Sequence, residues 1–165
     1  MEPRIPQPAM TVPRVMPALQ NIAKGAASVG LPTVTHRLVE LRASQINGCA
    51  VCLDMHAREL KALGESDARI ATVAAWRETP YFTEAERAAL ALTEAVTRLA
   101  DRPDPVADEV WDEAARHYSE QELAALVVSI ATINLWNRLN ASTRQVTGDW
   151  VEQWIHVPAP AGQAA

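Results

Sequence analysis

Apolar residues along this chain recur three or four positions apart. No segment alternates apolar and polar residues long enough to argue a strand. Val15, Leu19, Ile22, Ala26 and Val29 fall on one stripe of a helix whose first turn can take Pro13, and "VGLP" ends it. A second helix is predicted from about Pro32 to Ile46, with Leu38, Val39, Leu41 and Ile46 as its apolar positions. Asn47-Gly48 stops it, because both residues tolerate the left-handed conformation. A third helix runs from about Cys49 to Gly64, and Ser66 with Asp67 caps a fourth, "ARIATVAAW", before "TPYF" breaks the chain. Thr83 and Glu86 form a capping box for a helix through Leu99. After the loop "DRPDP", Pro105 opens a helix to about Tyr118. Ser119 and Glu122 repeat the capping box, and the helix behind them, "LAALVVSIATINLW", is apolar around much of its circumference. Such a helix belongs at the centre of a core or in a subunit interface. The pattern predicts an all-α fold.

Length and composition narrow this picture. With 165 residues, 48% hydrophobic and 21% charged, the chain reads as one globular domain. Its expected bounds are an N-terminal extension over 1–12, a helical domain over 13–155, and a disordered tail over 156–165, "HVPAPAGQAA", which has almost nothing to bury. No internal repeat is visible. A net charge of -5 argues against a nucleic-acid partner, whose phosphates are bound by Lys and Arg. No apolar run approaches the roughly 20 residues of a membrane span. "MEPRIPQPAM" does not read as a signal peptide. The expected compartment is the cytoplasm, where thiols are normally reduced.

In that setting the only two cysteines matter. They sit in "INGCAVCLDMH", at the predicted start of the third helix. With Cys49 placed in the first turn, Cys49, Cys52, Leu53 and His56 share one helix face. The unpaired N–H groups and partial positive charge of that turn favour thiolate over thiol. His56 can take a proton from Cys52 or hold an imidazolium beside it. The residues allow three readings: two small buried hydrophobes, three zinc ligands in Cys49, Cys52 and His56, or a redox dithiol. Zinc needs a fourth ligand, and His36, His117 and His156 are scattered. The spacing favours the dithiol, since the two sulfurs can join with little backbone change. Cys52, beside His56, is the expected attacking thiol, and Cys49, nearer the mouth, the resolving one.

Other polar residues have local readings. Ser44 and Gln45 either line the site or satisfy nearby hydrogen bonds, and His36 is expected on an exposed helix face. Trp76, Trp111 and Trp136 are expected as core or interface anchors. Asn137 and Arg138 either pair across a subunit interface or, in the case of Arg138, simply face solvent.

The stretches "LVELRASQINGCAVCLDMHARELKALGE", "WRETPYFTEAERAALALTEAVTRLA" and "ATINLWNRLN" resemble the AhpD-like alkylhydroperoxidases of the carboxymuconolactone decarboxylase superfamily. The resemblance runs from about Pro13 to Trp150. It implies an AhpD-like helical bundle, thiol chemistry without a cofactor, and assembly as a homotrimer or homohexamer. The working set it implies is two cysteines, a histidine after them, a second histidine between them and a glutamate one helix earlier. Cys49, Cys52 and His56 match. Val51 stands where the second histidine would be, and Arg37 where the glutamate would be. Glu40, one turn further on, is placed to substitute. The implied function is a thiol-dependent peroxidase that acts on a hydroperoxide and is recycled by an external thiol reductant. The alternatives are a carboxymuconolactone decarboxylase-type lyase, and a non-catalytic metal-binding or interaction protein.

Overall fold

The computed structural model describes residues 1–101 and 103–155; the tail expected over 156–165, with His156, lies outside them. The described chain is all-helical: α1 (Pro8–Thr11), α2 (Val15–Ala27), α3 (Thr33–Asn47), α4 (Ala50–Ala62), α5 (Asp67–Ala71), α6 (Glu84–Thr97), α7 (Asp108–His117) and α8 (Glu120–Ser142). Three 3₁₀ turns, Val73–Glu78, Leu99–Asp101 and Asp149–Trp154, complete the path. Among the described residues no helix is long and apolar enough to cross a membrane.

Local chemistry explains the ends. Both capping boxes form: Thr83 accepts from the Glu86 N–H and Ser119 from the Glu122 N–H, and each glutamate carboxylate returns to the cap. Gly48 ends α3 at φ 65°, which costs glycine nothing. Other boundaries differ from expectation. The stretch "ARIATVAAW" is not one helix: α5 ends at Ala71, and the 3₁₀ turn that follows leaves helical geometry at Ala75. α7 starts at Asp108 rather than Pro105, where two acidic residues in the first turn meet the helix dipole. α6 ends at Thr97 rather than Leu99, and α2 starts at Val15.

α3 is the axis of the bundle and packs against α4, α6 and α8. Val39, Leu92, Leu126 and Ile130 are fully buried where α3, α6 and α8 meet. Leu38, Leu60, Leu90 and Trp76 fill the space beneath α4. A third cluster gathers Ala43, Cys49, Val51, Cys52, Ile133 and Val151. α8 is central as expected, yet Val128 and Leu135 on its outer row are each 40% exposed. On α2, Leu19 and Ala26 are buried as the stripe requires, whereas Ile22 is 45% exposed because no element covers that part of the helix.

Buried polar groups join α3 to α8. Asn47 donates to Asn134 and Asn137, and Asn137 donates to Ser44, whose hydroxyl bonds the Glu40 carbonyl. Asn137 therefore works inside the chain rather than across a subunit boundary. Arg138 donates to the Asn134 carbonyl on its own helix. His36 is buried, not exposed, because its face of α3 meets α8, where Nδ1 is 3.0 Å from the Ser129 hydroxyl.

Candidate active site

The site begins at the α3–α4 corner. The Cys49 N–H donates to the Ser44 carbonyl, and the chain enters α4 with Cys49 extended (φ -88°, ψ 100°). Cys49 is thus the N-cap rather than a first-turn residue. Its sulfur accepts from the Cys52 N–H at 3.3 Å, the place a serine or aspartate oxygen usually takes. Cys49 and Cys52 are joined as a disulfide, with 5.4 Å between their Cα atoms. Joined sulfurs are not thiolate ligands, so the zinc reading with both cysteines does not describe this form.

Both cysteines are buried, but they face different surroundings. Cys52 borders a cavity of about 220 Å³, and Cys49 does not. Cys49 was the sulfur expected nearer the mouth; it is instead Cys52 that lines the cavity, although both belong to the same apolar cluster with Ala43, Ile133 and Val151. Asn140 of α8 donates its amide N–H to the Cys52 sulfur at 3.4 Å. The sequence offers no signal for this contact, which joins residues 88 positions apart. The Asn140 amide is expected to stabilise the Cys52 thiolate in reduced protein. Hydrogen bonds to charged groups contribute about 1.5–3 kcal/mol, so Asn140→Leu should slow Cys52 alkylation at neutral pH by about tenfold or more. Iodoacetamide kinetics in a Cys49→Ser background measure this, and unchanged rates would remove Asn140 from the site.

One turn beyond Cys52, His56 is buried and paired. Its Nδ1 lies 2.8 Å from Glu59 Oε2 and 3.6 Å from Glu40 Oε2. A carboxylate accepts, so Nδ1 is the donor in this pair, and in the neutral ring Nε2 is then the acceptor. Nε2 has no hydrogen-bond partner, although His56 forms part of the cavity wall. Glu40, the carboxylate expected to assist, is near, but Glu59 is the direct partner. Its spacing of three residues on the same helix was legible in "HARE". Arg37 pairs with Glu40 and with Glu59, the latter at 3.2 Å. The residue standing where a family glutamate was expected thus supplies a counter-charge instead.

Donor atoms of Glu40, His56 and Glu59 all lie within 4.8 Å of one another, the spacing of a metal-ligand set. Arg37 already places one positive charge against both carboxylates. Burial opposes ionisation of Glu40, but Arg37 and then His56 outweigh it and hold the carboxyl below its ordinary value. Glu94 behaves alike: burial opposes its charge, and hydrogen bonds from Arg77, Arg42 and Trp76 prevail. A depressed carboxyl stabilises the fold above its unfolded pKa, here near 4.5, and loses that contribution as pH falls through the lower folded value. The melting temperature should therefore fall below about pH 4.5. Glu94→Gln should flatten that fall, and melts across the acid range check it; a variant as acid-sensitive as the parent would contradict the assignment.

The rest of the cavity is largely apolar. Trp136 of α8 and Trp150 and Trp154 of the last 3₁₀ turn line it, with Met16 and Met55. Trp136 is here a wall residue, and the roles of Trp150 and Trp154 were not anticipated. Trp76 is a core anchor as expected, whereas Trp111 is 41% exposed. The segment expected as an N-terminal extension reaches the site: Gln7 lines the cavity, and Arg4 and Ile5 bond to Thr143 and Gln145. Ser44 sits in the α3–α8 network, Gln45 accepts from Arg42, and His117 pairs with Glu113 on the surface.

A helical bundle that presents a CxxC disulfide at a helix start, with a buried histidine–carboxylate pair one turn on, belongs to the all-helical dithiol proteins. The sequence pattern of the carboxymuconolactone decarboxylase family matches residues 13–95, and the chain belongs to that family, in its AhpD-like branch. The uncharacterised protein YdfG of Bacillus subtilis is 34% identical over 128 residues, covering 78% of this chain and 86% of YdfG. The uncharacterised YnjA of Escherichia coli is 31% identical over 112 residues, 68% of this chain and 60% of YnjA. Among solved structures, a protein of unknown function from Agrobacterium tumefaciens, provisionally assigned as the antioxidant-defence protein AhpD, superposes with a TM-score of 0.83. It is 35% identical, and the match covers 89% of this chain and 99% of that one. The debrominase Bmp8, solved with 2,3,4-tribromopyrrole, matches at a TM-score of 0.74 and 22% identity over 89% of this chain and 79% of its own. That likeness is one of fold.

Proposed function

We propose that this protein is a thiol-dependent peroxidase that reduces organic hydroperoxides through Cys52 and Cys49. The observation that carries the reading is the Cys49–Cys52 disulfide with Cys52 on the cavity wall beside His56. In the reduced protein, His56 Nε2 takes the Cys52 proton and Glu59 stabilises the resulting imidazolium. The thiolate attacks the distal peroxide oxygen, the O–O bond breaks, and His56 returns the proton to the leaving alkoxide as the alcohol. Cys52 is then a sulfenic acid. The Cys49 thiol attacks it, water leaves, and the disulfide forms. Overall, one hydroperoxide and two thiols give one alcohol, one water and one disulfide. An external thiol reductant restores the pair, which suits a reducing compartment such as the cytoplasm.

Counting free thiols before and after one equivalent of hydroperoxide tests this. The expected loss is both thiols per chain without covalent dimers; two thiols still titratable would end the proposal. The decarboxylase alternative has no evident use for a dithiol, and muconolactone turnover by a double Cys→Ser variant would favour it. Assembly as a homotrimer or homohexamer is part of the proposal. Ala124, Val128, Ala131 and Leu135 form an exposed, largely apolar row on α8 that neighbouring copies can cover. Light scattering should return a multiple of the 18.0 kDa chain, and a monomer throughout the micromolar range would refute assembly.

A further inference from the structure

Three of the five tryptophans, Trp136, Trp150 and Trp154, line a single cavity and are only half-buried there. Tryptophan carries the largest apolar surface of any side chain, and leaving three of them incompletely covered around one space is costly. The walls between them are Met16, Met55 and Leu19. The lining also carries polar groups: Cys52, whose sulfur accepts from the Asn140 amide, His56, whose buried Nε2 lacks a partner, and the charged trio Arg37, Glu40 and Glu59. Buried polar atoms are normally hydrogen-bonded, and Nε2 of this lining residue can accept such a bond from a ligand hydroxyl. The volume of about 220 Å³ exceeds the roughly 150 Å³ of an apolar cavity that holds benzene, and so leaves room for one ring with a short branch.

We infer that this cavity is a binding site for a small aromatic molecule carrying one oxygen function, the ring held among Trp136, Trp150 and Trp154 and the oxygen at His56 Nε2 and Cys52. The site deepens the peroxidase reading, since its substrate becomes an aryl-substituted hydroperoxide; it rests on that reading for the reaction, though not for binding. The tryptophan faces prefer a ring by offset or edge-on stacking, which a saturated ring cannot match. Size alone also discriminates, because each buried CH₂ contributes about 0.8 kcal/mol.

The test uses redox-inert alcohols on the oxidised, full-length protein, so that no turnover intervenes. Calorimetry should show 2-phenyl-2-propanol binding at least tenfold tighter than tert-butanol and several-fold tighter than 2-cyclohexyl-2-propanol, despite the greater hydrophobicity of the saturated ring. Trp136→Leu should weaken the phenyl compound by about tenfold, and should leave the cyclohexyl compound nearly unchanged. Trp154→Leu, in the short terminal turn, provides a second variant should Trp136→Leu lose helical signal. Equal or tighter binding of the cyclohexyl compound, or unchanged phenyl affinity in folded Trp→Leu variants, would overturn the inference. Ring binding without thiol loss to peroxide would sink the peroxidase reading and keep the site; thiol loss without ring binding would do the reverse.

Discussion

His56→Ala should slow the reaction of reduced protein with hydroperoxide by about 10²–10⁴-fold, the usual loss when a general base is removed. The expectation follows from the division of labour on the ring. Nδ1 is engaged by Glu59 at 2.8 Å, which orients the imidazole and leaves Nε2 as the only nitrogen able to accept a proton. No second histidine stands by, because Val51 occupies the position between the cysteines. The helix terminus and the Asn140 amide still act on Cys52 in the variant, so the reaction should slow without stopping. The variant should fold, since Arg37 continues to neutralise Glu59, although a buried side chain is lost. Stopped-flow measurement of thiol oxidation, with helical content as a control, checks this. An unchanged rate would make the helix terminus the main activator and remove His56 from the mechanism.

Arg37→Met should destabilise the fold by about 3 kcal/mol, the lower end of what breaking a buried ion pair costs. The loss exceeds that of a surface salt bridge because Glu59 is almost fully buried and Glu40 largely so. Without Arg37 the two carboxylates face one another and His56 with no fixed counter-charge. The lower end applies because Arg37 itself keeps 21% of its side chain exposed. Urea unfolding at neutral pH measures the difference, which should shrink in acid as the carboxylates protonate. Adding Glu40→Gln to the variant should recover part of the loss. A difference below about 1 kcal/mol would place Arg37 among ordinary surface pairs.

Several features of this protein are written locally in its sequence. Helical periodicity, two complete capping boxes and the Asn47-Gly48 stop are local features, and local hydrogen bonds and backbone preference decide them. The closeness of Cys49, Cys52 and His56 is also local, because one turn of helix brings residues three and four apart together. Boundaries differed inside "ARIATVAAW", where the backbone at Ala75 leaves helical geometry and a 3₁₀ turn replaces the expected α-helix. A subtler miss was Cys49, whose extended backbone makes it the cap of the helix it was expected to begin.

The all-helical class and the closeness of the two cysteines to the histidine follow from residue order, since each rests on contacts within about one turn. Tertiary packing alone decided how close Glu40 comes to His56, which sulfur meets the cavity, and what surrounds it. Glu59 sits three residues beyond His56 on α4, at 2.8 Å, whereas Glu40 belongs to α3, and only the approach of α3 to α4 brings it to 3.6 Å from the same nitrogen. Asn140 reaches Cys52 across 88 positions of chain. Trp150 and Trp154 close the cavity because Val151 anchors the final 3₁₀ turn in the cluster around the cysteines. Contacts of that kind leave no period in the sequence, because they depend on how helices cross and not on how residues repeat within one.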